Sequence, residues 1–198
     1  MNNLVIGNTS QLSHYFPEDY EQISSRNIPL TAYRDKYYDR IFFCFAEQRT
    51  FIDNNLKMFM DVNVNYTTQL ASFFGKRCNK LIVYATSDLW NQCVGGISVT
   101  DPYNYEPTPY TESKRIMVER LKKLLGEKVI VLYPSNFNSI HRKPGFLFHK
   151  IFDSIINKKQ IEIGDTYFYR DLVHPEYVVE RSVLAEKDEI VGSGRLTF

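Results

Sequence analysis

Short apolar runs alternate with longer segments of mixed polarity along the first two thirds of the chain. Runs of this length, rich in β-branched and aromatic residues, are typical of strands that are covered on both faces of a parallel sheet. The pattern predicts strands at 3–7, 21–25, 39–46, 80–86 and 128–134.

Two longer segments carry apolar residues at helical spacing and predict helices over 51–76 and 109–126. Pro109 suits the first turn of the second helix, and Gly126 suits its C-terminal stop. Strands that alternate with helices in this way predict βαβ units. We therefore expect an α/β fold, a three-layer Rossmann-like sandwich with a mostly parallel central sheet, in one domain over 1–198.

The composition fits a folded domain with a proper core, because 43% of the 198 residues are apolar and 24% are charged. The net charge of +1 gives no electrostatic reason to expect nucleic acid or an anionic membrane as a partner. The chain shows neither a membrane-span pattern nor a signal peptide. Cys44, Cys78 and Cys93 are scattered and do not stand at metal-ligand spacing, so we expect a reduced cytoplasmic protein without a metal site.

In such a sheet, ligands bind beyond the carboxyl ends of the strands. The first strand end opens a short predicted helix over 10–16, where a dinucleotide pyrophosphate would meet helix N–H groups. Of the three glycines usual in this turn only Gly7 is present, with Ser10 and Ser13 near the other two positions. The segment is therefore either a reduced dinucleotide-binding turn or an ordinary strand-to-helix connection.

The second strand end carries Ser24, Ser25 and Arg26 at the place where NAD enzymes hold an acid against the ribose 2′-hydroxyl. A hydroxyl and a guanidinium suit a 2′-phosphate, which favours NADP. The alternative is a surface arginine with no such role.

Tyr110 and Lys114 stand four residues apart at the head of the second predicted helix, so both side chains share one helix face. A solvated helix surface gives such a pair by chance as well. Thr86, at the end of a central strand, adds a hydroxyl where a substrate would lie. Together the three form an acid–base device, in which the cation favours tyrosinate and the hydroxyl binds the substrate oxygen.

Several stretches resemble motifs of the extended short-chain dehydrogenase/reductase family, which includes sugar-nucleotide epimerases, dehydratases and ketoreductases. "PTPYTESK" is similar to the family's Pro-x-x-x-Tyr-x-x-x-Lys helix start, and "YATSDLW" is similar to its Ser/Thr-bearing strand. Further resemblances follow in family order in "DVNVNYTTQL", "VLYPSNF", "YRDLVHPEYVVE" and "IVGSGRLTF".

The resemblance implies an enzyme that uses NADP or NAD and acts on a nucleotide-activated sugar by epimerisation, dehydration or reduction. It implies that Thr86, Tyr110 and Lys114 are catalytic. The cofactor-binding residues would be Gly7, Thr9, Ser10, Gln11, Leu12, Ser25, Arg26, Phe45, Ala46, Tyr110, Lys114, Pro134 and Asn136. The substrate-binding residues would be Ser87, Asp88, Asn136 and Arg170.

The chain also departs from the family pattern. Beyond the reduced glycine turn, Gly7 and Thr86 lie close enough in sequence that an early helix and strand are expected to be shortened or lost. The segment 136–198 is expected to form only a small, partial substrate-binding lobe. These departures keep two alternatives open, a reductase of another small carbonyl compound and a non-catalytic dinucleotide-binding or structural protein of the same fold.

Two further features have a functional and a plain reading. Asp88 would assist elimination of water in a dehydratase, or it would only cap the following turn. His141, Arg142 and Lys143 form a basic run that would meet a sugar or diphosphate, or a solvated loop.

The second predicted helix carries more apolar residues than one sheet face needs, and such a patch is rare on a soluble monomer. We therefore expect a homodimer through the helices 55–74 and 109–125, paired about a two-fold axis. The surplus apolar residues are Ile116, Met117, Leu121, Leu124 and Leu125.

Overall fold

The computed structural model describes residues 2–52, 55–93, 95–163 and 171–192. The strands of this part of the chain are β1 (Asn3–Ile6), β2 (Glu21–Ile23), β3 (Tyr38–Phe43), β4 (Cys78–Tyr84), β5 (Val129–Pro134), β6 (Asn136–Phe137), β7 (Leu172–Val173) and β8 (Glu189–Val191). Its α-helices are α1 (Leu56–Phe59), α2 (Thr67–Phe74), α3 (Pro109–Leu125), α4 (Leu147–Asn157) and α5 (Pro175–Leu184).

Six strands form one sheet in the order β2-β1-β3-β4-β5-β8, and every neighbouring pair is parallel. β6 and β7 pair separately. The order of the first five strands is that of a doubly wound sheet whose switch point lies between β1 and β3. The predicted α/β fold with a mostly parallel sheet is confirmed. Among the described residues, β2 is the one strand that lies outside β1 on that side of the sheet.

Side chains alternate between the two faces of the sheet, so the core has two halves. Leu4 and Ile41 belong to the half that includes residues of α2 and α3. Val5 and Phe42 belong to the other half, which includes residues of α5 and the aromatic side chain of Phe16. These three layers place the carboxyl ends of β1, β3, β4 and β5 along one edge.

The predicted helix over 10–16 is wrong in type and length, because only a four-residue 3₁₀ turn forms there, at Leu12–Tyr15. Ser10 and Ser13 satisfy the backbone locally: the Ser10 hydroxyl accepts from the Leu12 N–H at 3.2 Å, and the Ser13 hydroxyl donates to the Ser10 carbonyl at 2.6 Å. Such local bonds compete with helix formation. Phe16 then turns into the core against Phe42, with ring centroids 4.8 Å apart.

The predicted helix over 51–76 is present but not uniform. A π-helical segment, Met60–Tyr66, separates α1 from α2. The Thr67 hydroxyl donates to the Val62 carbonyl at 3.0 Å, five residues back. π-helical turns of this kind are frequent at functional sites.

Helix α3 begins and ends as its sequence predicts. Pro109 occupies its first turn, and Gly126 follows it with φ +57. Thr108 and Thr111 add a reciprocal capping box, in which the Thr108 hydroxyl accepts from the Thr111 N–H and the Thr111 hydroxyl accepts from the Thr108 N–H. This cap fixes the turn that carries Tyr110.

Most of the apolar residues expected to lie on the surface of α3 pack against the core of this chain. Met117 and Leu121 are buried in the core, and Ile116 and Leu125 pack against it. Leu124 alone of the five is exposed, at 43%. The patch that motivated a dimer is therefore much smaller than the sequence indicated.

Three findings concern the described residues only. None of their helices combines the length and the apolarity that a bilayer crossing requires. The three cysteines are free thiols. No group of three or more His, Cys, Asp or Glu side chains in this part of the chain could hold a metal ion.

Candidate active site

A cavity of about 1170 Å³ runs along the carboxyl edge of the sheet and is lined from the ends of β1, β3, β4 and β5 and from α3. Every described residue that the sequence placed in a site lines it. These are Gly7, Thr9, Ser10, Gln11, Leu12, Ser25, Arg26, Phe45, Ala46, Thr86, Ser87, Asp88, Tyr110, Lys114, Pro134 and Asn136. Arg170, the remaining predicted residue, lies outside the described residues.

Gly7 stands at the switch point between β1 and β3, where any other residue would be strained. Its φ is +114, and a Cβ atom would lie 2.9 Å from the Cys44 carbonyl carbon and 3.1 Å from the Phe45 nitrogen. Two strand ends therefore meet in backbone contact at the floor of the cavity, where glycine alone permits the approach.

The turn after Gly7 differs from a phosphate-binding loop, because several of its N–H groups are hydrogen-bonded to acceptors within the chain. The Asn8 N–H donates to the Ile23 carbonyl, the Ser10 N–H to the Gly7 carbonyl, and the Leu12 N–H to the Ser10 hydroxyl. With a single 3₁₀ turn behind it, this segment lacks the helix N-terminus that usually holds a pyrophosphate.

Gln11 is not available to a ligand through its amide oxygen. The oxygen accepts from the Ser139 N–H at 2.7 Å and from the Ser139 hydroxyl at 3.1 Å, while the amide nitrogen donates to the Phe137 carbonyl. Gln11 therefore joins the first turn to the segment after β5, and its role is to hold the cavity together.

Ser25 and Arg26 line the end of the cavity below β2. The Tyr66 hydroxyl donates to the Ser25 carbonyl, which anchors this loop to the π-helical segment. Arg26 is exposed, and its backbone N–H donates to the Ser24 hydroxyl at 3.0 Å. Arg26 therefore lines the cavity, and its role towards a cofactor stays a prediction.

Thr86 and Tyr110 are brought together, as the predicted acid–base device requires. Thr86 caps the 3₁₀ turn Ser87–Trp90 by accepting from the Asp88 N–H at 3.2 Å, and its hydroxyl lowers the pKa of Tyr110, which places the two side chains near each other. The Tyr110 ring packs edge-on against the buried Phe59, with centroids 6.0 Å apart. Its hydroxyl is therefore held at the cavity wall.

The pKa of Tyr110 is raised above its ordinary value of 10, first by burial and then by the negative charge of Asp88. The positive charge of Arg142 and the hydroxyl of Thr86 lower the pKa of Tyr110 in part. Tyr110 is therefore a phenol at neutral pH and is ready to donate a proton rather than to accept one.

Lys114 is buried, and its ammonium donates to the Tyr84 carbonyl at the end of β4, at 2.8 Å. Its nitrogen lies 5.9 Å from the centroid of the Tyr110 ring. Burial lowers the pKa of Lys114 to about 7. A lysine that lines a cavity and has such a lowered pKa is a candidate functional group.

Asn63 supports the site and was not singled out from the sequence as a site residue. Its amide accepts from the Glu47 N–H at 2.7 Å and donates to the Glu47 carbonyl and the Ser113 hydroxyl, both at 3.0 Å. The Ser113 hydroxyl in turn donates to the Tyr110 carbonyl at 2.7 Å. The π-helical segment thus connects the loop after β3 to the turn that carries Tyr110.

Glu47 and Arg49 form a second feature that the sequence did not reveal. The Arg49 guanidinium contacts both carboxylate oxygens of Glu47, at 2.8 and 2.5 Å, and the Gln48 and Arg49 N–H groups bond one of them. These bonds lower the pKa of Glu47 and fix the loop on the cavity wall. This ion pair is visible only in the structure, because an acid and a base two residues apart in sequence do not predict a site.

The basic run after β6 divides in the structure. Arg142 and Lys143 line the cavity, whereas His141 is turned towards His14, with parallel rings 3.8 Å apart. His141 therefore packs on the first turn outside the cavity, and only its two neighbours present positive charge to a ligand.

No family model and no curated protein sequence matches the chain. Its structure, in contrast, is similar to many solved structures. UDP-glucose 4-epimerase from Thermotoga maritima, solved with UDP-glucose, is 18% identical with a TM-score of 0.83, over 100% of this chain and 78% of that one. UDP-glucuronic acid 4-epimerase from Bacillus cereus, solved with NAD, is 15% identical with a TM-score of 0.79, over 98% of this chain and 79% of that one.

A third similar structure, ADP-L-glycero-D-manno-heptose-6-epimerase from Helicobacter pylori, is 15% identical with a TM-score of 0.77, over 98% of this chain and 77% of that one. All three are sugar-nucleotide epimerases, and at these identities the likeness concerns the fold. The chain therefore has the Rossmann-like α/β fold of the sugar-nucleotide epimerases of the extended short-chain dehydrogenase/reductase family.

Proposed function

We propose that the protein is an NAD(P)-dependent epimerase, dehydratase or ketoreductase acting on a nucleotide-activated sugar. The observation that carries the proposal is the meeting of Thr86, Tyr110 and Lys114 in one cavity at the carboxyl edge of a doubly wound sheet. Structures of the same fold that contain NAD or UDP-glucose support the choice of ligands.

The cavity fits a dinucleotide and a sugar nucleotide in size and charge. Its volume exceeds the upper end of about 1,000 Å³ for a single small-molecule pocket. Its lining includes more cations than anions, the cations being Arg26, Arg49, Lys114, Arg142 and Lys143 and the anions Glu47 and Asp88. This excess suits ligands that carry phosphates.

The dinucleotide would lie across Gly7, where the backbone offers the closest approach. Because the turn lacks a helix N-terminus, its pyrophosphate would be held by side chains of the wall more than by the turn. When bound, the nicotinamide would supply hydride transfer to or from a sugar carbon. Ser25 and Arg26 would meet the adenosine ribose, and a guanidinium there favours a 2′-phosphate, so we propose NADP over NAD.

Residues of the chain would transfer the proton to and from the sugar oxygen. Tyr110 would give its hydroxyl proton to the sugar oxygen in the direction of reduction and take it back in the direction of oxidation. Thr86 would hydrogen-bond the same oxygen and hold it against the phenol. Lys114 would hold the cofactor's ribose, and Ser87, Asp88 and Asn136 would contact the sugar, with Arg170 proposed for its diphosphate.

The proposal is tested by binding and turnover measured on the same preparations. We expect NADPH to bind more tightly than NADH by calorimetry, and Arg26→Gln to remove the difference. A panel of sugar nucleotides followed by proton NMR should show conversion of at least one. Equal affinities for the two cofactors would reject the NADP preference alone.

Tyr110→Phe is the decisive variant, because it removes a proton relay and keeps the ring that packs on Phe59. We expect turnover to fall by about 10²- to 10⁴-fold, with cofactor affinity changed less than about twofold. A variant that turns over as fast as the wild type would reject the catalytic assignment.

A second candidate function is a non-catalytic dinucleotide-binding or structural protein of the same fold. The first turn favours it, because the N–H groups of Asn8, Ser10 and Leu12 are already bonded within the chain and are not free for a pyrophosphate. Calorimetry separates the two candidates: absence of NADH and NADPH binding at millimolar concentration supports this one, and binding with sugar turnover rejects it.

A further inference from the structure

The loop 24–27 follows β2 and lines one end of the cavity. Its two ends are fixed by β2 and by Ile28, which packs against the core. Among the hydrogen bonds of the described residues, only the one from the Tyr66 hydroxyl to the Ser25 carbonyl joins this loop to another element. The conformation of the middle of the loop therefore depends on Tyr66.

The peptide unit between Ser25 and Arg26 is held at both of its polar groups. Its carbonyl, which belongs to Ser25, accepts from the Tyr66 hydroxyl. Its N–H, which belongs to Arg26, donates to the Ser24 hydroxyl at 3.0 Å. A peptide unit is planar, so these two hydrogen bonds fix its orientation and the position of the Cα atom that follows. Tyr66 therefore helps to fix the point from which the Arg26 side chain extends.

Tyr66 is the last residue of the π-helical segment Met60–Tyr66, and its own position is fixed from two sides. Its ring packs against that of Phe45, which follows β3, with centroids 5.7 Å apart. The next residue, Thr67, donates its hydroxyl to the Val62 carbonyl across the wide π-helical turn, at 3.0 Å. The Tyr66 hydroxyl therefore reaches the loop 24–27 from a well-packed support.

We propose that Tyr66 is a positioning residue for cofactor recognition, whose hydrogen bond to the Ser25 carbonyl holds Arg26 where a ribose 2′-phosphate would bind. The proposal rests on the NADP preference of the proposed function, which assigns Ser25 and Arg26 to the adenosine ribose. Tyr66 was not singled out from the sequence as a site residue. The ligand chemistry is an adenosine that carries a 2′-phosphate, an anion that a guanidinium can bind through two hydrogen bonds.

A fixed backbone matters at this position because Arg26 is exposed and has a long side chain. Such a side chain loses rotamer freedom when it binds an anion, and this loss opposes binding. If the loop 24–27 were free, its backbone would have to be ordered in the same step, at a further cost. Release of the Ser25 carbonyl should therefore weaken binding of the 2′-phosphate and leave the rest of the nucleotide unaffected.

The test compares two nucleotides that differ only in the 2′-phosphate, adenosine 2′,5′-bisphosphate and adenosine 5′-monophosphate. Calorimetry measures both affinities at one salt concentration for the wild type, Tyr66→Phe and Arg26→Gln. Tyr66→Phe removes the hydroxyl and keeps the ring that packs against Phe45. Tyr37→Phe is the matched control, because the Tyr37 hydroxyl donates to the Asn79 side chain, at 3.0 Å, at the opposite edge of the sheet.

We expect the wild type to bind the bisphosphate about tenfold more tightly than the monophosphate, because hydrogen bonds between guanidinium and phosphate are charge-assisted. Arg26→Gln should abolish this ratio of affinities. Tyr66→Phe should lower the ratio by about two- to tenfold, the effect of one hydrogen bond, with monophosphate affinity changed less than about twofold. Tyr37→Phe should leave the ratio unchanged. A general loss of structure would weaken both nucleotides alike, so a fall in the ratio reports the position of Arg26.

Tryptic cleavage after Arg26 measures the hold on the loop without any ligand. The initial rate of this cleavage, followed by peptide mass spectrometry, should rise by about two- to tenfold in Tyr66→Phe, because a released loop opens to the protease more often. The rate should not change in Tyr37→Phe. Cleavage after Lys158, at the end of α4, is the internal reference for changes elsewhere in the molecule.

The two measurements separate this inference from the proposed function. A wild-type preference for the bisphosphate that Tyr66→Phe retains in full rejects the role of Tyr66 and leaves the NADP preference standing. Unchanged cleavage after Arg26 in Tyr66→Phe overturns the hold on the loop. Equal affinities for the two nucleotides in the wild type reject the NADP preference and, with it, the recognition role of Tyr66. Sugar turnover is measured independently of all three results.

Discussion

Lys114 is unfavourable for stability at neutral pH, and its presence in the core therefore needs a reason beyond folding. Burial depresses its pKa from 10.5 to about 7. Between these values the unfolded chain holds a proton that the folded chain has released. The free energy of unfolding therefore rises with pH through this window, by about 1.4 kcal/mol per unit. Below pH 7 the full penalty is present.

We predict that Lys114→Met is more stable than the wild type at pH 7. The advantage should shrink by up to about 4 kcal/mol on going to pH 10, since the penalty on the wild type disappears there. Urea unfolding at pH 7, 8.5 and 10 measures it. A difference that stays constant with pH would show that Lys114 remains fully charged in the folded chain.

A second prediction for a single residue concerns the effect of Gly7 on stability. Gly7→Ala should lower the free energy of unfolding by about 2–5 kcal/mol, because it adds a strained φ and a contact with the backbone of Cys44. Gly95→Ala is the matched control: its φ is +95, and nothing lies within 4 Å of the added Cβ. It should cost only about 1–2 kcal/mol. Equal losses in the two variants would contradict the close approach at the switch point.

The π-helical segment Met60–Tyr66 is the element on which the site depends most directly. It turns Asn63 towards the loop after β3 and α3, and leaves Asn65 on the surface against Arg120. Asn63→Ala should lower the free energy of unfolding by about 2–4 kcal/mol, because both Glu47 backbone groups and the Ser113 hydroxyl lose a buried partner. Thermal unfolding with Asn65→Ala as control measures this, and a change below about 1 kcal/mol would contradict it.

The fold was predictable from the sequence because the strands of a covered parallel sheet are continuous apolar runs, as "DRIFFCFA" shows. The helix over 10–16 was mispredicted because serine side chains compete for the backbone and the next strand follows too soon. β8 was not among the strands predicted from the apolar runs, since its three residues lie beyond the part of the chain where such runs alternate regularly. The candidate site followed from strand ends and from several stretches that resemble family motifs. Asn63 and Glu47 did not, because their roles depend on contacts across the fold.

At the scale of the whole molecule, the homodimer remains a prediction, and the apolar surface that supports it is smaller than the sequence indicated. Leu56 and Leu124 are the exposed large apolar residues on α1 and α3, at 45% and 43%. If helices 55–74 and 109–125 pair, light scattering at micromolar concentration should give twice the 23.3 kDa of one chain. Leu124→Glu should then return the mass to that of a monomer, whereas a single-chain mass for the wild type would reject the pairing.

The position of β2 at the edge of the sheet affects how readily other chains can pair with this sheet and aggregate. An outer strand with free N–H and C=O groups is a template on which other chains can add, and this hazard grows with its length. β2 offers only Glu21–Ile23, and its first residue is tied down by Lys36 and Tyr38, whose side chains donate to the Glu21 carboxylate at 2.9 and 2.7 Å. This edge of the sheet is therefore too short to serve as a template for aggregation.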